Sequence, residues 1–528
     1  MRRPRLLAFA GTLTVLIGLI SASTVPAIAA AAPATGVRFV DITAADGVVL
    51  KANVNESTSP GRHPTIVFVN SWGLNDLEYL AQADKLATAG YTVVSYTTRG
   101  FWTSGGRIET AGPLDIRDMT TVIDWTLSHT TADPARVGAA GVSYGAGIGL
   151  IASGFDRRIR AVAAMSGWSD LVESLYGGNT RRPQAVALLQ VAATLLGRPS
   201  DELNEVLSDY WANRDIDSIK AFGRVRSAAT YVDAINANRP AILMANSYGD
   251  SLFPPNQLVD FFGRLTTPKR LELAPGDHAV VEATGLIGLD NHVWTSVRRW
   301  FDQYLVGVNT GIATEPPVVL RTRPGGSVES YVDWADVTGS TQRLGLGEVR
   351  WWDGTGPLGG SATTGWTRTA YAVGDSGASA GVALLTNAWE ALTGISPRVF
   401  LPFVDRARAG VWVSSALGAT AVRGIPRLHL TVKPGQADGT VVAYLYDLDG
   451  WGNGDLIAHA PSSCSGPRPA TMDWRGWRPN LVTCGASAAS GVAPLVCATQ
   501  GPVAISLATS AIALSGTHSS TRSPSSAT

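Results

Sequence analysis

The 528-residue chain carries 42 basic and 42 acidic residues, and 45% of it is hydrophobic against 16% charged. Zero net charge gives no sign of a broad basic surface for nucleic acid. The apolar fraction is too high for a disordered chain and too evenly spread for a multi-span membrane protein. The length suits two domains and a further short element.

Arg2, Arg3 and Arg5 form a basic start, Leu6 to Ile20 an apolar run, and VPAIAAAAPATG a small-residue stretch. This three-part pattern predicts a secretory signal peptide over residues 1–32, cut between Ala29 and Ala32. It implies a secreted protein, extracellular or associated with the cell envelope, with no stable membrane span after cleavage. The three cysteines, Cys464, Cys484 and Cys497, all fall near the C-terminus, and the seven histidines are scattered. The spacing offers no zinc site and no thiolate nucleophile to the first half of the chain, and at most one disulfide to its end.

From Thr65 onward, short apolar runs alternate with helical stretches. TIVFV (65–69), YTVVSY (91–96), RVGAAGVS (136–143) and IRAVAAMSG (159–167) read as strands. The helices between them cover 77–90, 114–129 and 146–154. This alternation predicts a mostly parallel sheet covered on both faces, an α/β fold. Residues 171–238 hold helical stretches and no good strand, so they read as a helical cap insertion. The sheet resumes with AILMAN (241–246) and RLELA (270–274), and a helix over 291–307 closes a first domain spanning 36–312. After Gly311, short runs with period-2 alternation, such as GVWVSS, RLHLTVKP and TVVAYLYDL, predict a β jelly-roll domain over 315–460. The periodicity then fails, and 461–528 reads as an irregular, degenerate or disordered tail. Within it PVAISLATSAIAL is compatible with a strand or a loose helix.

Gly141-Val-Ser143-Tyr-Gly145 is a G-x-S-x-G motif between a strand and a helix. There a serine on a strained turn presents its hydroxyl above the sheet edge. A second match, Gly377-Ala-Ser379-Ala-Gly381, follows a polar turn and lacks that setting. A nucleophilic serine needs a base, and the base an orienting acid. Asp250 follows one strand and His278 the next, so Ser143, Asp250 and His278 fall in the Ser–acid–His order of this fold class. His292, at the start of the last helix, competes as base and Asp277 as acid. Adjacent residues rarely set a carboxylate against the neighbouring imidazole Nδ1, which favours Asp250. The oxyanion donors expected are the Tyr144 N–H and a donor from Ser71 or Trp72 in the NSWG loop.

These features resemble the X-prolyl dipeptidyl peptidase (S15) and cocaine-esterase-like family of α/β-hydrolases. The resemblance is carried by NSWG, YTTRGFWTSGG, the helix with Asp115 and Trp125, GVSYGA, AMSGWSDL, the GD of Asp250 and the PGDH of His278. It spans about residues 36 to 460. It implies a Ser143–Asp250–His278 triad, a cap over the pocket, a non-catalytic jelly roll packed on both, and no cofactor or metal. Some family esterases take an oxyanion donor from a tyrosine in the first motif loop. NSWG has none, which leaves a backbone N–H or the Ser71 hydroxyl. The family commonly has an acidic residue before its Arg-Gly, where this chain has Thr98 before Arg99-Gly100.

The expected reaction is hydrolysis of a small acyl ester or amide, or release of N-terminal dipeptides ending in proline. The peptidase alternative needs a carboxylate for the substrate ammonium, and Asp170, Glu173, Asp201, Glu202 and Glu205 are candidates. A third reading is a secreted carbohydrate- or surface-binding protein with an inactive hydrolase core.

Overall fold

The computed structural model describes residues 36–321 continuously, 327–465 with short interruptions, and the segments 470–475 and 502–509. The expected signal peptide, Cys484 and Cys497 lie outside the described residues.

A ten-stranded sheet runs in the order β1-β2-β4-β3-β5-β6-β7-β8-β9-β10. Its strands are β1 (Val37–Thr43), β2 (Val49–Asn55), β3 (His63–Val69), β4 (Thr92–Tyr96) and β5 (Ala132–Val142). They continue with β6 (Ile159–Met165), β7 (Ala241–Ser247), β8 (Lys269–Ala274), β9 (Val318–Arg321) and β10 (Val328–Tyr331). Strands β4, β3 and β5 to β9 are parallel, while β1, β2 and β10 are antiparallel to their neighbours. The parallel strands are apolar along their whole length because both faces are covered. Ile66 and Phe68 of β3 enter one core and Val67 and Val69 the other; Leu243 and Met244 of β7 divide likewise. This is the two-residue period of a pleated strand feeding two layers. One layer is α1 (Leu80–Thr88) with the closing helix His292–Phe301, through Leu86, Val293, Val297 and Trp300. The other includes α2 (Pro113–His129) and α3 (Tyr144–Phe155), through Met119, Val122 and Ile148.

Two sequence expectations are corrected here. Strands β9 and β10 extend the core sheet to Tyr331, beyond the expected end of the first domain at 312. Each has only four residues, too short for its period to separate it from the β-rich texture that follows. The tail expected from 461 contains strand: the Asp438–Leu448/Asn453–Ser465 hairpin continues to Ser465, and Pro502–Thr509 pairs between Ala409–Ala416 and Asp438–Leu448. Its Val503, Ile505 and Leu507 alternate with small residues, a strand period hidden in a short run. These strands belong to a six-stranded sheet, accompanied by a two-stranded one.

The cap comprises the helices Leu171–Tyr176, Pro183–Leu196, Asp201–Ala212, Ile216–Val225 and Val232–Asn238. The C-terminal β-rich part touches the cap through Thr180 Oγ1 and Ser463 Oγ at 2.9 Å. It reaches the core through the helix Leu385–Thr393.

Arg99, on the loop after β4, is 3% exposed. Its Nε and Nη2 donate to the two oxygens of Asp118 on α2, each at 2.7 Å, and its Nη1 donates to Asp46 at 2.9 Å. The paired guanidinium ties this loop to α2 and to the β1–β2 turn.

Candidate active site

Ser143 sits between β5 and α3 with φ 58° and ψ −111°, a strained backbone for a residue with a Cβ. The flanking glycines make that turn sterically feasible. A Cβ on Gly145 would lie 2.1 Å from Val69 O, and one on Gly141 would lie 2.6 Å from the carbonyl carbon of Gly145.

The three residues picked from separate strand ends meet. His278 Nε2 is 2.9 Å from Ser143 Oγ, and His278 Nδ1 is 3.0 Å from Asp250 Oδ2. The other Asp250 oxygen accepts from the N–H groups of Leu252 (2.9 Å) and Phe253 (2.7 Å). That anchoring directs Oδ2 at the imidazole, so Nδ1 carries the proton and Nε2 is left to accept from the serine.

The rivals are placed elsewhere. Asp277 Oδ1 accepts from Ser251 N and Oγ, both at 2.8 Å, and from His278 N at 2.7 Å, so it braces the loop and does not face the ring. His292 begins the closing helix, where burial lowers its pKa to about 4. Ser379 Oγ accepts from Gly381 N at 2.9 Å within a turn.

The oxyanion expectation narrows. Ser71 donates its N–H (2.7 Å) and its hydroxyl (2.6 Å) to the Glu78 carboxylate, so neither is directed at Ser143. Glu78 lies in the helical turn just before α1, and burial pushes its carboxyl up to about 7. The backbone N–H of Trp72 has no partner among the described residues. The Tyr144 N–H, first of α3, has no intrahelical acceptor. Asn70 Nδ2 donates to Ser71 O and Leu74 O, both at 2.8 Å, and fixes the loop that carries Trp72. The Trp72 indole donates to Leu189 O of the cap at 2.9 Å.

Two buried carboxylates near the site were given no role in the sequence reading. Glu282, four residues past His278, accepts from Ser166 Oγ at 2.9 Å, while its other carboxyl oxygen is buried without a partner among the described residues. Burial pushes its pKa up to about 7. Asp115 accepts from the Tyr144 hydroxyl (2.5 Å) and from Ala111 N (2.8 Å), and burial likewise raises it to about 7. Burial pulls His278 down. The adjacent Asp250, by charge and hydrogen bond, and then Asp277 and Glu282 by charge, more than offset this and hold it above the ordinary histidine range. Among the described residues, no cluster of three or more His, Cys, Asp or Glu side chains is placed to hold a metal, and no helix is long and apolar enough to cross a membrane.

A cleft of about 890 Å³, counted out to its open mouth, rises from Ser143, Trp72 and Thr110 into the cap. None of Asp170, Glu173, Asp201, Glu202 and Glu205 lines it. Asp170 caps its own helix by accepting from Glu173 N, and Glu202 pairs with Arg226 at 2.9 Å.

A serine on a strand–helix elbow, with an acid and a histidine on later strand ends of a mostly parallel sheet, defines an α/β-hydrolase of the serine-hydrolase superfamily. Residues 46–280 match the family described as X-Pro dipeptidyl-peptidase (S15 family), which supports a placement in the S15/CocE–NonD superfamily of α/β-hydrolases. An uncharacterized protein of Escherichia coli (strain K12), YcjY, is 30% identical over 149 residues, 24% of this chain and 49% of that protein. The match therefore spans about half of that relative's length. Among solved structures, an α-amino acid ester hydrolase is similar over 93% of both chains, at 16% identity and TM-score 0.66. A CocE/NonD family hydrolase from Staphylococcus aureus is similar over 90% of this chain and 92% of its own, at 12% identity and TM-score 0.61. An aminopeptidase from a marine sediment Thaumarchaeota archaeon covers 93% and 92%, at 13% identity and TM-score 0.59. At these identities the likeness is one of fold.

Proposed function

We propose that the chain is an exported serine hydrolase that cleaves an acyl ester or amide through an acyl-enzyme on Ser143. The observation that carries this reading is the unbroken hydrogen-bonded line from Asp250 through His278 to Ser143. His278 Nε2 takes the serine proton as Oγ attacks the carbonyl carbon, and Asp250 offsets the charge of the imidazolium. The Tyr144 and Trp72 N–H groups hold the oxyanion. His278 returns the proton to the leaving alcohol or amine, and water repeats the sequence on the acyl-enzyme. Export rests on the basic, apolar and small-residue leader.

Ester or simple amide is favoured over an N-terminal dipeptide because a substrate ammonium needs a carboxylate partner, and among the described residues the cleft lining contains none. The binding-protein reading rests on the exposed Trp351, Trp352 and Trp451 of the β-rich part. A fluorescent fluorophosphonate decides between hydrolase and binder. Wild-type protein is expected to label and Ser143→Ala to lose the label completely. Folded wild-type protein that takes no label would overturn the hydrolase reading.

The charges around His278 set the pH dependence. The base works neutral, and its pKa is raised, so the acid limb of kcat/KM lies above the ordinary histidine value of about 6.5. Glu282→Gln removes one carboxylate that favours the imidazolium and shifts that limb to lower pH. A pH profile of kcat/KM for the two proteins checks the sign; an unmoved or upward-shifted limb refutes it.

A further inference from the structure

We infer, resting on the hydrolase reading above, that the acyl group accepted by this site is a medium-length aliphatic chain laid beneath the cap. The cleft wall is built by Leu171, Leu175, Val186, Leu189, Leu207 and Phe222 among others. Apart from Thr110, the polar side chains of its wall are engaged with the protein. The Trp168 indole donates to Arg226 O at 2.7 Å, and the Trp72 indole to Leu189 O at 2.9 Å. Gln190 Oε1 accepts from the Trp211 indole at 2.7 Å, and the Tyr210 hydroxyl accepts from Arg182 N at 2.5 Å. Lys220, the one charged residue of the lining among the described residues, donates to Asn179 Oδ1 at 2.9 Å while covering the Tyr176 ring. A peptide or sugar entering this wall would exchange hydrogen bonds to water for few in return, whereas methylenes lose nothing by leaving water.

The side of the reaction follows from the base. The leaving group must reach His278 Nε2 to be protonated, and His278 does not line the cleft, whereas Ser143 and Trp72 do. We therefore assign the cleft, which shares Ser143 and Trp72 with the reacting centre, to the acyl side. Thr110 Oγ1, buried and without a partner among the described residues, is the lining's available polar group for the substrate.

Two measurements test this independently of one another. The first is kcat/KM of the wild-type chain for p-nitrophenyl acetate, butyrate and octanoate below their micelle thresholds. Each methylene entering an apolar site gives roughly a two- to fourfold gain, so octanoate is expected to exceed acetate by about 50-fold or more. A flat or falling series overturns the chain assignment while leaving the hydrolase reading intact. The second is calorimetric binding of octanoate and of acetate to Ser143→Ala, which needs no catalysis. Octanoate is expected to bind at least about tenfold more tightly than acetate, and Leu207→Trp, added to fill the cleft, is expected to remove that difference. Equal binding of the two carboxylates overturns the proposal, and this comparison stands even if the tryptophan variant does not fold. Octanoate binding together with no fluorophosphonate labelling of the wild type would support the cleft and overturn the hydrolase.

Discussion

Asp250→Asn is expected to lower kcat about 10⁴-fold with little change in fold, the size of loss seen when a triad acid is made neutral without altering its shape. The structure gives the reason. Oδ1 of Asp250 accepts two backbone N–H groups, from Leu252 and Phe253, so an asparagine must keep its carbonyl oxygen there. Its NH₂ then faces His278 Nδ1, which is 3.0 Å from the present Oδ2. An imidazole facing a donor there must accept at Nδ1 and carry its proton on Nε2. In that tautomer it cannot take the proton of Ser143. Steady-state kinetics beside a thermal melt check the prediction. A loss of less than tenfold with an unchanged melt would show that Asp250 does not set the tautomer.

Arg99→Met is expected to destabilise the fold by about 3–5 kcal/mol, because it strands a carboxylate in the interior. Asp118 is 1% exposed, and both its oxygens accept from the Arg99 guanidinium at 2.7 Å. The second partner, Asp46, sits at the surface and can return to water; Asp118 cannot. The double variant Arg99→Met/Asp118→Leu removes both charges and is expected to recover most of the loss, since apolar replacements of a buried pair are often close to neutral. Urea unfolding of the three proteins measures this. A double variant as unstable as the single one would place the cost in packing or loop geometry and not in the unpaired charge.

The central strands were legible because burial on both faces makes them continuous apolar runs. The edge strand β1 was not. Val37–Thr43 has one residue fully buried, and its exposed Arg38 and Asp41 break the pattern that marks a covered strand. Ser143, Asp250 and His278 were legible because each follows a strand, and a parallel sheet delivers all such ends to one edge. The fate of the Ser71 donors was not. A loop sequence gives no sign of whether a hydroxyl turns toward the nucleophile or back to a carboxylate seven residues on. Asn387 was beyond reach for a different reason: its partners lie more than a hundred residues away, and asparagine in a β-rich region carries no local signal.

Asn387 also bears on how the chain can be divided. From the helix Leu385–Thr393 its side chain donates to Gly249 O at 2.7 Å and to Asp277 Oδ2 at 3.1 Å, and the nearby Leu384 N donates to Ser251 Oγ at 3.0 Å. Those contacts bracket Asp250 on both sides. The later part of the chain is thus a buttress for the acid loop of the earlier part, and the two cannot be exchanged among hydrolases as independent modules. A substitution that suits the β-rich region but tilts this helix would be felt at Asp250 and His278, so the halves are constrained to change together.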